Sequence, residues 1–323
     1  NPISSRPEAK GKIMKEVQFS LNVVDSKNEI KTIKDLSTND RNGKIIGLGS
    51  RLEEKKDGFF QKSLFLPKNN YIEIPSQISL QPLKGLTFSA WLYFEDYTRP
   101  YTDDLGNQGI ISPNPDNLGS FFDFSGLTKT DSNQSSQLSL KLYFDSSDSG
   151  FFVFRVDDPN GKLYPIGEAG HYVSVSASQM PKSTWLHLAA VIESSEEEHN
   201  GRLKLFINAR LLGERVYENP RNLVGLNLTN NTIGKGIEWN IAYFCLYKAP
   251  LSQEEVRKDM LSSLMSTLDT KSLTEALQAL DRKLWQDIVR DLVTEVDDTT
   301  KGEVQVNLRE QNWKSIQKIF NLK

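Results

Sequence analysis

The residues best equipped to hold a ligand fall in three clusters. The first is the polar stretch Glu95 to Gln108, EDYTRPYTDDLGNQ, which sets Tyr97 and Tyr101 beside Asp103 and Asp104. An aromatic ring offers a flat apolar platform, and a nearby carboxylate accepts hydrogen bonds from ligand hydroxyls. The second comprises Tyr164, His171 and Tyr172 in a Gly-containing stretch, and the third is Trp239 near Gly234 and Gly236. The first stretch is long for a strand connection, and long loops are where binding residues concentrate.

Catalytic patterns are missing from the same sequence. Hydrolysis of a glycosidic bond needs two carboxylates converging on one linkage. On a strand that means acidic residues two apart, because alternate positions share a face. No expected strand carries such a pair. The acidic run Glu196 to Glu198 falls in a loop, where consecutive residues diverge into solvent. His187 lies in the alternating run WLHLAAV beside Trp185, and the pattern predicts a buried strand histidine rather than a base. The lone cysteine, Cys245, sits in an apolar run and reads as a small buried hydrophobe. The three His residues are scattered, with none at the spacing of a zinc pair.

What would position the candidate residues is a set of short strands. Gly85 to Tyr93 (GLTFSAWLY) and Trp185 to Val191 alternate bulky and small or polar residues, the period of a strand with one buried face. Trp91 and Trp185 are expected in a core between two sheets. Arg202 to Ala209 alternates likewise, with a turn near Asn208 to Arg210. Further strands are expected at Glu16–Val24, Lys44–Leu48, Lys62–Leu66, Tyr71–Ile74, Gly109–Ser112, Ser120–Phe124, Leu138–Phe144, Phe151–Val156, Tyr172–Val175, Asn231–Gly234 and Asn240–Tyr247. Turn clusters separate them, among them Asp35 to Gly43 and Asp157 to Gly161. Many short strands without interleaved helices predict a mainly β fold, an antiparallel β-sandwich.

At Pro250 the pattern changes. Ser252-Gln253-Glu254-Glu255 is a capping box, and Leu251 and Val256 occupy the positions of a hydrophobic staple. A second box opens at Ser272, followed by Leu273, Leu277, Leu280, Leu284, Ile288 and Leu292 in one helical stripe flanked by Trp285. Trp313, Ile316 and Phe320 form a last amphipathic piece. The organisation expected is an N-terminal arm over 1–15, a β domain over 16–250 and an amphipathic helical region over 251–323. Leu277, Leu284, Trp285, Ile288, Trp313 and Phe320 are the residues expected to dock a partner protein.

Composition narrows the classes. The 323 residues carry 39 Lys plus Arg against 42 Asp plus Glu, a net charge of −3, without the basic excess of a nucleic-acid binder. No apolar run is long enough to span a bilayer. A single cysteine forbids an intrachain disulfide. The sequence starts at Asn1 with no signal peptide visible, which leaves export open. Asn133, Asn227 and Asn230 head Asn-x-Ser/Thr triplets.

The order of these motifs resembles the laminin-G-like domains of the concanavalin A-like jelly-roll group. The resemblance rests on seven segments in sequence: Asp35 to Gly43, Tyr71 to Pro75, Leu86 to Leu92, Gly109 to Ser112, Trp185 to Ala190, Leu203 to Ala209 and Leu246 to Val256. It covers about Glu16 to Met260. It implies a jelly roll and an extracellular or cell-surface setting, while its motifs specify fold more than activity, since the same jelly roll hosts glucan hydrolases. A structural calcium is the one cofactor it raises, with Asp35, Asn39, Asp40 and Asn42 as ligands. The family's acidic pair in the last strand reads Ala242-Tyr243 here, which removes two carboxylates from that site. The function expected is recognition of a glycan or a protein surface through loops at the sandwich edge. The alternative is a structural adaptor that docks by its helices into a multi-subunit assembly.

Overall fold

The computed structural model describes residues 17–22, 32–35, 37, 39–54, 62–80, 85–93, 100–102, 108–110, 120–129, 135–145, 151–157, 171–176, 179, 185–195, 200–218 and 225–265. Among these residues the elements run in the order β1 (Val17–Asn22), β2 (Thr32–Asp35), β3 (Gly43–Ile46), β4 (Arg51–Glu54), β5 (Lys62–Leu66), β6 (Tyr71–Glu73), β7 (Ile78–Leu80), β8 (Gly85–Tyr93), β9 (Pro100–Thr102), β10 (Gln108–Ile110), β11 (Ser120–Lys129), β12 (Ser135–Asp145), β13 (Phe151–Asp157), β14 (His171–Ser176), β15 (Trp185–Ser195), β16 (Asn200–Ile207), β17 (Arg210–Glu218), β18 (Gly225–Lys235), β19 (Trp239–Tyr247) and α1 (Gln253–Met265). Every strand pairing is antiparallel, as the alternating pattern predicts.

Two sheets result. In sheet A, β17, β16, β15, β8 and β19 lie side by side, and the far edge of β19 takes β1 along one part and β5 with β4 along another. In sheet B the run is β14, β13, β12, β11, β18, β6, β3 and β2, with β7 also on β18. The β1–β2 pairing joins the sheets along one side. β9 and β10 form a separate hairpin.

The inner faces supply the core. Leu86, Phe88, Ala90 and Leu92 of β8 meet Phe122 and Phe124 of β11, Leu140 and Leu142 of β12, and Phe154 of β13. Rings from the two sheets interdigitate: Phe88 stacks on Phe122 at 4.1 Å, and Phe88 meets Phe124 edge-on at 5.3 Å. Such pairs add about 0.5–1.5 kcal/mol each beyond the area they bury.

β8 is buried at all nine positions, although alternation predicts one buried face. Its second face lies under α1. That face carries Thr87, Ser89, Trp91 and Tyr93, and β15 and β19 add Trp185, His187, Tyr243, Cys245 and Tyr247, all buried. Trp91 and Trp185 therefore lie outside the core between the sheets, contrary to expectation, and Trp91 sits beneath the helix. The parity explains it, because each shares a strand face with Ser89 or His187 and not with Phe88 or Leu188.

α1 starts as its capping box predicts. The backbone N–H of Ser252 donates to Glu255 Oε2 at 2.7 Å, and the N–H of Glu255 donates to Ser252 Oγ at 3.3 Å. Leu251 and Val256 are both buried beside it. Thr87 ties the approach to the sheet: its hydroxyl donates to the Ala249 carbonyl at 2.8 Å and accepts from the Leu251 N–H at 2.9 Å.

Candidate functional site

The outer faces of the two sheets hold the molecule's polar groups, and they differ in access. Across sheet B the registers align one residue from each of eight strands: Thr32, Lys44, Glu73, Thr232, Asp123, Lys141, Arg155 and Tyr172. Their chain neighbours Ile33, Ile45, Ile72, Ile233, Phe122, Leu140, Phe154 and Val173 are buried. Alternation thus turns Thr32, Lys44, Glu73, Thr232, Asp123, Lys141 and Tyr172 of this file outward.

Contacts along the file are loose. Asp123 accepts from Ser139 Oγ at 3.3 Å, and Lys141 Nζ lies 3.9 Å from Asp123 Oδ2. Lys141 also stands 5.6 Å from the ring of Tyr143 on its own strand. At the end of the file Tyr172 is 40 % exposed, and the Arg215 guanidinium of β17 covers its ring at 5.0 Å. Towards the other end of β18, Gln77 Nε2 donates to Asn227 Oδ1, as does the Ser79 hydroxyl at 3.2 Å. The surface mixes both charge signs with amides, hydroxyls and a partly exposed ring under Arg215.

The outer face of sheet A holds a sealed cluster. Asp259, in the middle of α1, is 1 % exposed. Its carboxylate accepts from Ser89 Oγ, from His187 Nε2 at 3.1 Å, from the Tyr243 hydroxyl at 3.1 Å and from the Tyr247 hydroxyl. One turn on, Ser263 Oγ accepts from Trp91 Nε1 at 2.8 Å and donates back to the Asp259 carbonyl at 2.7 Å. β15 holds His187 in place through its backbone: the His187 N–H donates to Asn208 Oδ1 at 2.8 Å, and the Asn208 N–H donates to the His187 carbonyl at 2.7 Å. Asn208 and Ala209 take φ of 50° and 60°, the left-handed pair that a tight hairpin between β16 and β17 requires.

Burial works against the charged form of Asp259. The hydrogen bond and charge of His187, with the bonds from Ser89 and Tyr247, outweigh it and hold the carboxyl below the usual carboxylate range. Burial pushes the Tyr247 phenol far up, so it stays protonated and donates.

Ser, His and Asp in contact invite comparison with a nucleophilic triad, and the geometry refuses it. In a triad one imidazole nitrogen faces the carboxylate and the other, bare, faces the serine. Here Nε2 faces both, since Ser89 Oγ is 3.1 Å from it and Asp259 Oδ2 is also 3.1 Å from it. A nitrogen against a carboxylate carries its proton, so it has no lone pair with which to activate Ser89. Ser89 in turn spends its own proton on Asp259. The opposite nitrogen, Nδ1, is buried without a partner. The cluster is a structural network, as the strand context of His187 predicts, with Asp259 the partner that sequence reading missed.

Other predicted residues fare unequally. Tyr172 is open on β14. Trp239 is 1 % exposed, packs edge-on against Phe121 at 5.4 Å and lies against Gly234, where a Cβ would fall 2.4 Å from its Nε1. It is a core residue with no face free to stack on a ligand, which corrects the expected role. Tyr101 lies on β9, its side chain outside the described residues. Tyr97, Asp103, Asp104 and Tyr164 also fall outside them, as do Leu277, Leu284, Trp285, Ile288, Trp313 and Phe320.

The Asp35 loop closes on itself. Asp35 Oδ1 accepts from the Ser37 N–H at 2.8 Å, and Oδ2 accepts from Ser37 Oγ and the Arg41 N–H, each at 2.8 Å. Asn42 Oδ1 accepts from the Asp35 N–H at 2.8 Å, and Asn42 Nδ2 donates to Asp40 at 3.0 Å. Donors point at the oxygens a calcium ion would use, so the set fits a turn better than a cation. Among the described residues no group of three or more His, Cys, Asp or Glu could hold a metal ion. No helix among them is long and apolar enough to cross a membrane.

Comparison with curated proteins finds no match. Solved structures of similar layout include the binding domain of botulinum neurotoxin DC in complex with SialylT, at 12 % identity and a TM-score of 0.47, covering 77 % of this chain and 52 % of that one. The same neurotoxin domain in complex with rat synaptotagmin II aligns at 13 % identity and 0.46, covering 77 % and 52 %. Domain 4 of AbnA, a GH43 extracellular arabinanase from Geobacillus stearothermophilus, in complex with arabinotriose, aligns at 15 % identity and 0.41, covering 76 % and 98 %. The chain spans only 52 % of the neurotoxin domain's length, and likenesses at this level carry no functional argument. The sequence itself matches a laminin G family profile described as the concanavalin A-like lectin/glucanases superfamily over residues 66–257, more than half the chain. That stretch runs from the end of β5 into α1 and takes in β6 to β19, and on it the chain belongs to the concanavalin A-like lectin/glucanases superfamily.

Proposed function

We propose that the protein is a non-catalytic recognition module that binds a glycan on the open face of sheet B and the sandwich edge beside it. The observation that carries this reading is the outward file of residues across sheet B. It offers carboxylates at Glu73 and Asp123, ammonium groups at Lys44 and Lys141 and the Tyr172 ring, with amides at Gln77 and Asn227 towards the other end of β18. A polyhydroxylated ligand needs donors and acceptors in alternation with a ring to stack on, and this surface has them. Its mixed signs give no strong field for steering a highly charged partner. Tyr97, Tyr101, Asp103, Asp104 and Tyr164 remain part of the proposal as ligand contacts expected from the sequence. The Ser89–His187–Asp259 grouping, sealed and wrongly protonated for attack, supports the non-catalytic half of the reading.

Retention on a panel of immobilised glycans tests it, comparing the full chain with Tyr172→Ala and Lys141→Ala. The proposal expects a retained glycan whose affinity drops about tenfold in each variant. Retention of no glycan, or equal retention by all three proteins, overturns it. Recovery of a protein partner through the segment after α1 would instead favour an adaptor.

A further inference from the structure

Helices usually cover sheets with aliphatic side chains, and α1 departs from that. Val256 and Met260 bring apolar contact, but Asp259 and Ser263 occupy positions on the same buried face. The surface beneath is polar and aromatic, with atoms of Ser89, Trp91, His187, Tyr243 and Tyr247 aimed at the helix. We propose that α1 is a detachable strap, held on sheet A by the Asp259 carboxylate and able to leave while the two sheets stay folded.

Three features support this. The core between the sheets lies on the opposite face of β8, β15 and β19, so lifting α1 leaves Phe88, Phe122, Phe124 and Phe154 packed. The surface uncovered carries hydroxyls, an imidazole and an indole N–H that water can satisfy, unlike an aliphatic face. And the polar hold converges on one group, since four donors meet at Asp259. Its loss breaks every one of those bonds together.

The groups facing Asp259 are Ser89 on β8, His187 on β15, and Tyr243 and Tyr247 on β19, with Cys245 between the tyrosines. On α1 itself the charged neighbours are Glu255, which caps the N-terminus, Arg257, and Lys258, paired with Glu254 at 2.9 Å. The start of the helix is anchored separately through Thr87, and through Gln253 Nε2, which donates to the Ala209 carbonyl at 3.3 Å. A released strap would therefore swing from its N-terminal end.

Hydrogen–deuterium exchange on the full chain tests this. In Asp259→Asn the amides of 253–265 should exchange at least about tenfold faster, while those of β11 and β12 keep their protection. In the unaltered protein, lowering the pH through the depressed value of Asp259 should release α1 while β11 and β12 stay protected. If α1 and β11 lose protection in one step in the pH series, α1 is an integral part of the fold and the strap is overturned. Unchanged exchange of α1 in a folded Asp259→Asn also overturns it. The pH series decides the matter if the variant does not fold.

Discussion

Ser89, His187 and Asp259 on the outer side of sheet A are 1 %, 0 % and 1 % exposed, whereas Lys141 and Asp123 on the outer side of sheet B keep 27 % and 35 % of their side-chain surface. Both faces are built on β-strands with the same apolar inner lining, and both carry residues able to do chemistry. The difference is one helix. Under α1 the polar groups pair with one another, save His187 Nδ1, because an unpaired group is costly in a dry setting. The result is a network that holds shape and offers nothing to a ligand. On sheet B the same kinds of group meet water, pair at 3.3–3.9 Å or through rings, and remain free to exchange water for a ligand. Reactive residue types in the sealed region are thus structural, and the open region is the one to which recognition is assigned in the proposal.

The largest effect that could break this contrast comes from His187→Ala. Removing one partner of a buried charged network typically costs about 3–5 kcal/mol, to be read from chemical denaturation. A loss under about 1 kcal/mol would mean the cluster is not sealed. The same region should show itself in a pH titration. Asp259 has a folded value below its unfolded one, so its contribution is present above the ordinary carboxylate range and lost as the pH falls through the depressed value. Asp259→Asn should flatten that acid limb. Next in size is Ser263→Ala, which leaves the buried Trp91 N–H without its acceptor and should cost about 1–3 kcal/mol. Asp123→Ala on the open face should change stability by at most about 1 kcal/mol, because exposed ion pairs contribute little. Its effect should appear in glycan retention instead. Smallest is calcium: adding millimolar Ca²⁺ or a chelator should shift the melting temperature by less than about 1 °C, since the Asp35 oxygens already hold three donors.

Much of the fold was readable from local pattern. Lys62–Leu66 and Gly85–Tyr93 form strands with the expected bounds, and Ser252 with Glu255 caps α1 as their spacing requires. Strands without a clean period were missed. β17, RLLGERVYE, interrupts its alternation with Gly213, and that glycine lies so close to β14 that a Cβ would meet Val173 at 2.8 Å. β2, β4 and β7 are three or four residues long, too short to show a period. The sites were less legible. Which face of β8 meets the other sheet depends on what covers the second face, and alternation is blind to that. Trp239 looked like an open platform because glycines surround it in sequence, yet in space those glycines make room for its ring. Asp259 belongs to no motif in the sequence. The available signal was its place in the stripe of Val256, Met260 and Ser263, where a solvated carboxylate does not belong.

The pairing of β1 with β19 has a mechanical consequence. Val17 opposes Tyr247, so the chain enters β1 and leaves β19 at the same end of that ladder. A pull applied through the flanking segments would load the ladder from this end and open its bonds one after another, as a zipper. Antiparallel strands gripped at opposite ends would share the load in shear. Tension on the chain would thus reach β19 only after lifting α1, and would then peel β1 off at low force before the rest of sheet A is stressed.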